Sequence, residues 1–126
     1  MRKAEGNDIA PERLDSLRQF QDRIGVWFSA PSLLNIALTH SSHSNLCNER
    51  LEFLGDSIVA MVVGEYIYKS RPAASEGEMT NSRSDLVREE ALAEAARGID
   101  LGRYLLLGEG EMRSGGTEKA SILSDA

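Results

Sequence analysis

Glu49, Glu52 and Asp56 stand three and four residues apart, among the apolar Leu51, Phe53, Leu54, Ile58, Val59, Val62 and Val63. On a helix turning about 100° per residue these carboxylates fall at about 0°, 300° and 340°, inside one narrow stripe. Like charges stacked at such spacings repel by roughly a few tenths of a kcal/mol per pair when exposed. Burial adds a desolvation cost and pushes carboxylate pKa values up. A divalent cation relieves both, and an all-oxygen donor set selects a hard one such as Mg²⁺ or Mn²⁺. The same spacing also describes the wet face of an amphipathic helix, since acids at helical intervals are common. Gly55 favours the cation: a mid-helix glycine costs about 1 kcal/mol relative to alanine. It implies that another backbone comes close, or that Asp56 needs space. Glu65 lies on the far side of the helix, at about 160°, and reads as an ordinary solvated acid.

The elements that must hold this stripe are helical. From Pro11, Leu14, Leu17, Phe20 (or Gln21) and Ile24 recur at three- and four-residue steps, and Gly25 ends the segment. Pro31 opens a second helix, because a proline at the first helical position loses no needed N–H. SSHSNLCN (41–48) is a polar connection to a long helix from about Asn48 to Lys69, expected to be buried over most of its circumference. RPAAS (71–75) breaks it, and Ser75 with Glu78 reads as a capping box for the next helix. That helix carries Met79, Leu86, Val87, Leu92 and Ala95 and should stop at Gly98 as a left-handed terminator. LGRYLLLG (101–108), a glycine-rich polar loop (109–119) and one apolar helical turn (121–126) complete the chain. Nothing alternates with period two over a useful length, so the fold class is all-α.

Composition narrows the function. The 126 residues make one domain, with residues 1–11 expected to be a flexible N-terminal segment and 12–126 the folded part. There is no membrane-length apolar run, and the charged N-terminus is followed by no apolar stretch of a secretory signal. The single cysteine excludes an internal disulfide and suits a cytoplasmic chain. Net charge is −6, and all of it falls on residues 48–126. By charge alone the protein is a poor ligand for nucleic acid. His40, His43 and Cys47 lack a fourth zinc ligand at a standard spacing and read as packing and loop hydrogen bonding. No G-x-S-x-G surrounds any serine, no phosphate loop is built from the glycines of 108–116, and Trp27 and Phe28 read as core.

The run NERLEFLGDS (48–57) resembles the signature of the ribonuclease III family, endonucleases of double-stranded RNA. ALTHSS (37–42), EGEMTNSRSDLVREEAL (76–92), LGRYLLLGEGE (101–111), the glycine pair at 115–116 and SILSDA (121–126) resemble the family's other blocks, in order. The resemblance implies the all-helical catalytic domain of a bacterial-type enzyme, acting as a homodimer. It implies Mg²⁺-dependent cleavage (Mn²⁺ as a substitute) of duplex RNA to 5′-phosphate and 3′-hydroxyl ends, in rRNA and mRNA processing. Carried over, Glu52, Asp56 and Asp125 are metal ligands and Asp56 is also the catalytic residue. Glu49 and Glu76 are further acids of the cleft, and Phe53 packs into the partner subunit.

Three departures accompany the resemblance. The family's next essential glutamate would fall at position 128, so the chain is expected to be truncated in its last core helix. The separate double-stranded-RNA-binding domain of bacterial members is not in this sequence. The loop before SILSDA reads Thr117-Glu118-Lys119, where members often carry arginines. The basic residues Arg83, Arg88, Arg103, Arg113 and Lys119 are scattered. These departures leave a second expectation open: a non-catalytic relative or fragment that dimerises or binds RNA without cutting.

Overall fold

The computed structural model describes residues 9–126; the rest of the expected flexible segment, residues 1–8, lies outside them. Folded structure starts slightly before residue 12, since Ile9 packs against the core and the first helix begins at Pro11. The helices are α1 (Pro11–Ile24), α2 (Pro31–Ala37), α3 (Glu49–Ser70), α4 (Glu76–Val87), α5 (Glu89–Gly98), α6 (Glu109–Arg113) and α7 (Ala120–Asp125). Short 3-10 turns lie at Leu101–Tyr104 and Gly116–Glu118. Among the described residues no helix is long and apolar enough to cross a membrane.

The local signals act as the sequence suggests at several ends. Pro31 starts α2, and Gly25 closes α1 at φ 69°, its N–H donating to the Gln21 carbonyl at 2.9 Å. Glu78 N–H donates to Ser75 Oγ at 3.2 Å while Ser75 N–H donates to Glu78 Oε2 at 2.7 Å, completing the capping box of α4.

The core gathers where α1, α2, α5, α7 and the 101–107 segment meet. Leu17, Phe20, Leu34, Leu38, Ala93, Ala96, Leu101, Tyr104, Leu105, Leu107, Ile122 and Leu123 are buried together. The Phe20 and Tyr104 rings pack with centroids 5.1 Å apart. Arg13 fastens α1 across this core: its Nε donates to Asn35 Oδ1 and its Nη1 to the Tyr104 carbonyl, both at 2.7 Å. Burial pulls the Arg13 pKa down. A parallel backbone bridge joins Thr39 to Leu106, with Leu106 N–H donating to Leu38 O and His40 N–H to Leu106 O. The chains come so close here that a Cβ on Gly108 would stand 2.3 Å from the Ser42 carbonyl oxygen, a position only glycine can occupy unshifted.

Several sequence expectations need correction. The helix expected from Ser75 to Gly98 is two helices, broken at Arg88, whose ψ of 155° is extended. The break lets α4 lie against α3 while α5 turns to pack on α7. The left-handed residue after α5 is Asp100 (φ 57°) and not Gly98, which is still helical; aspartate is among the few residues that tolerate this region. Part of the loop expected at 109–119 is helix α6. Trp27 and Phe28 are exposed, and only Ile67 of α3 is buried, so α3 is not enclosed over most of its circumference. It packs chiefly against α4, and Phe53, Leu54, Ile58, Met61, Val62, Tyr66 and Tyr68 along it stay exposed. Nothing lies within 4 Å of a Cβ added at Gly55, so no backbone approaches it.

Candidate active site: an acidic cleft between α3 and the end of α7

The start of α3 is fixed by its backbone. Asn48 N–H donates to the Thr39 carbonyl at 2.9 Å, and Glu52 N–H donates to the Asn48 carbonyl at 2.8 Å. Thr39 is buried and its Oγ1 donates to the Asn35 carbonyl at 2.6 Å. The bridge from Thr39 to Leu106 thus transmits the position of the core to the first turn of α3. From that turn a groove runs along the helix, lined by Asn48 and by Leu51, Glu52, Gly55, Asp56 and Val59 of this helix, together with Leu33, Leu34 and Ala126. Gly55 lines the groove, in keeping with the open space around it.

Glu52 is the electrostatic centre. Its carboxyl pKa is raised, first by desolvation and then by the negative charges of Asp125, Asp56 and Glu49. Two helices therefore bring three further carboxylates to bear on Glu52: Glu49 and Asp56 from its own stripe on α3, and Asp125 from the last residue of α7. Among the described residues no lysine or arginine forms an ion pair with any of them. No three His, Cys, Asp or Glu side chains there converge into a ready-made cage for an ion. The donor set fits a hard cation by chemistry, all oxygen and all uncompensated charge. Its members must draw together to hold one.

Glu76 stands elsewhere. It opens α4, accepts a hydrogen bond from Thr80 Oγ1 at 2.9 Å, and lines a second groove with Met61, Gly64, Tyr68, Met79 and Arg83. Glu65, as expected of a solvated acid, is exposed and paired with Lys69. His40 and His43 join separate loop contacts, the first with Ser42 Oγ at 2.7 Å and the second with the Leu107 carbonyl at 3.3 Å. Phe53 is 79% exposed on α3, outside both grooves. The residue that sequence reasoning passed over is Asn48, read there only as the beginning of a helix. Its signal was its place at the head of NERLEFLGDS, one turn before Glu52.

The raised Glu52 pKa has a measurable consequence. The folded protein binds that proton more tightly than the unfolded chain does, so folding stability falls as pH rises from the ordinary carboxylate value through the raised one. Above that range, and without divalent ions, the charged Glu52 opposes folding. Glu52→Gln is therefore expected to raise the thermal midpoint in EDTA at pH 7 and to leave it nearly unchanged at pH 4. Equal shifts at both pH values would show that the carboxylates do not interact.

The all-helical fold that carries this cleft is shared with solved ribonuclease III nuclease domains. A family model described as Ribonuclease-III-like matches residues 30–126, and the chain belongs to that family. It is 52% identical over 104 residues to ribonuclease 3 of Methylococcus capsulatus, covering 82% of this chain and 45% of that protein. It is 46% identical over 121 residues to ribonuclease 3 of Borreliella afzelii, covering 91% of this chain and 49% of that one. The chain thus spans about half the length of the curated relatives it matches. The solved nuclease domain of ribonuclease III from Campylobacter jejuni superposes with a TM-score of 0.81 at 39% identity, covering 86% of this chain and 74% of that one. A second structure of that domain, which concerns structural flexibility in a region involved in dimer formation, gives a TM-score of 0.84 with 77% of it covered.

Proposed function

We propose that this chain is most of the catalytic domain of a Mg²⁺-dependent endoribonuclease that cuts double-stranded RNA, with Mn²⁺ as a substitute ion. The observation that carries the reading is the uncompensated carboxylate field at Glu52, built by Asp56 and Glu49 of its own helix and Asp125 of another. Glu52, Asp56 and Asp125 would hold the ion, with Asp56 as the catalytic residue and Glu49 at the edge of the cleft. When bound, the ion would lower the pKa of an attacking water and offset charge growing on the phosphoryl oxygens. The water oxygen bonds to phosphorus as the P–O3′ bond breaks. The leaving O3′ takes a proton, giving a 5′-phosphate and a 3′-hydroxyl. The carboxylates must keep their own charge at working pH, and a cation against Glu52 brings its raised pKa back down. Duplex RNA would be met by shape, backbone and 2′-hydroxyls. With Arg83, Arg88, Arg103, Arg113 and Lys119 scattered, the domain alone would hold it weakly and in a salt-sensitive way.

The same reading includes a homodimer. Phe53, Met61, Gly64 and Tyr68 fall within about 80° of one another around α3. Phe53, Met61 and Tyr68 are all more than 65% exposed. A single stripe carrying a projecting aromatic at one end and an apolar groove about eleven residues further on is self-complementary under a two-fold axis. Each Phe53 would then enter the groove of the partner subunit. Glu76 lines that groove, so its place in the assembly would be at the interface between subunits. Cytoplasmic rRNA and mRNA precursors are the expected substrates.

The test is cleavage of a long duplex RNA, with Mg²⁺ and with EDTA, by this chain and by a version continued beyond residue 126 through the next helix. Mg²⁺-dependent cutting by the continued version supports the proposal, as does very little by the chain as it stands. A continued version inert toward duplex RNA overturns it.

A further inference from the structure

We infer that Asn48 is a positioning residue of the cleft, whose side-chain amide orients Glu52 toward a bound divalent ion. The inference rests on the cation-binding reading of Glu52 and Asp56 given above. Asn48 is only 6% exposed, and what remains accessible opens into the groove that it lines with Glu52 and Asp56. Its backbone is fully engaged, with the N–H on Thr39 and the carbonyl on Glu52. It precedes the first residue of α3, where asparagine ordinarily caps a helix with its side chain. Here φ −81° and ψ −2° are helical, and no cap bond forms from the side chain. Asn48 differs in this from Ser75, which occupies the same position before α4 and spends its hydroxyl on the cap. The Asn48 amide has no hydrogen-bond partner among the described residues, although the residue as a whole is buried.

The position explains the residue type. Asn48 and Glu52 are one helical turn apart, so their side chains share a face. A lysine or arginine at position 48 would neutralise the carboxylates and compete with the cation. An apolar residue would offer the carboxylate no donor when the set draws together around an ion. A neutral carboxamide donates N–H to a carboxylate while leaving the charge of the set intact. Groups that hold ligating carboxylates in this way set ion affinity almost as strongly as the ligands themselves.

The experiment is Mn²⁺ titration of the chain by calorimetry in the absence of RNA, on the wild type and on Asn48→Ala, Asn48→Ser and Glu52→Gln. The expected result is a loss of about 10-fold in Mn²⁺ affinity for Asn48→Ala and a partial recovery with Asn48→Ser, which restores a small donor. Thermal unfolding in EDTA should show Asn48→Ala no less stable than the wild type, because the amide has no partner to lose. A purely structural asparagine would instead lower the EDTA midpoint and leave the affinity of the folded protein untouched, and that result overturns the inference. So does unchanged Mn²⁺ affinity with an unchanged EDTA midpoint. If Glu52→Gln loses Mn²⁺ and Asn48→Ala does not, only the role of Asn48 falls. If the wild type itself takes up no Mn²⁺, the cation reading falls as well.

Discussion

Asp56→Asn is expected to reduce Mg²⁺-dependent cleavage of duplex RNA by about 1,000-fold or more, measured on the continued domain with saturating substrate. A metal ion and its ligands supply several kcal/mol of transition-state stabilisation, and about 1.4 kcal/mol is a tenfold change in rate. Asparagine keeps the shape of aspartate and one carbonyl oxygen but removes the charge. The loss should therefore appear in turnover more than in RNA affinity. Glu65→Gln, on the opposite side of α3 and paired with Lys69, is the control and should leave the rate unchanged. Chelation by EDTA should reproduce the defect, with recovery on adding Mg²⁺ or Mn²⁺. If Glu52→Ala combined with Asp56→Ala cuts as well as the wild type, the carboxylates have been assigned wrongly.

The second large effect concerns assembly. Phe53→Ala is expected to raise the dimer dissociation constant by about 30-fold or more, since an aromatic anchor seated in a pocket typically contributes at least about 2 kcal/mol. Phe53→Asp should leave only monomer, because a carboxylate would have to be buried in an apolar groove. Sedimentation equilibrium across the micromolar range distinguishes these states. The truncation carries little folding penalty, as Phe53 is already exposed in the single chain. A wild-type continued domain that sediments strictly as a monomer would refute the two-fold arrangement.

The parts of the molecule that were legible in its sequence are those decided by chemistry within a few residues. Pro31, Gly25 and the Ser75–Glu78 pair mark helix ends because each satisfies or removes a local backbone group. The stripe of Glu49, Glu52 and Asp56 follows from helical periodicity alone. The break at Arg88 had no such marker. No proline or glycine stands beside it, and it exists because α4 and α5 answer to different neighbours, α3 and α7. Asp125 could be brought to Glu52 only by the resemblance, since 73 residues of sequence separate two groups that the fold places in one field. The faces of α3 misled for a further reason. Periodicity says that an apolar residue will leave water, but not whether its own chain or another surface will cover it. Phe53, Met61 and Tyr68 carry a core-like composition and remain exposed in the single chain. The pair Trp27 and Phe28 misled in the same way.

The division of packing described for the helices has a consequence for motion. α3 and α4 form a hairpin that buries little besides Ile67, whereas α5 and α7 close over the main core. A unit with few buried side chains opens at a lower free energy than the body it leans on. Glu52 and Asp56 ride on the hairpin and Asp125 on the body, so the cleft straddles the seam between two cooperative units. An ion held by all three would stitch that seam. Local unfolding of the hairpin and release of the ion would then be one event.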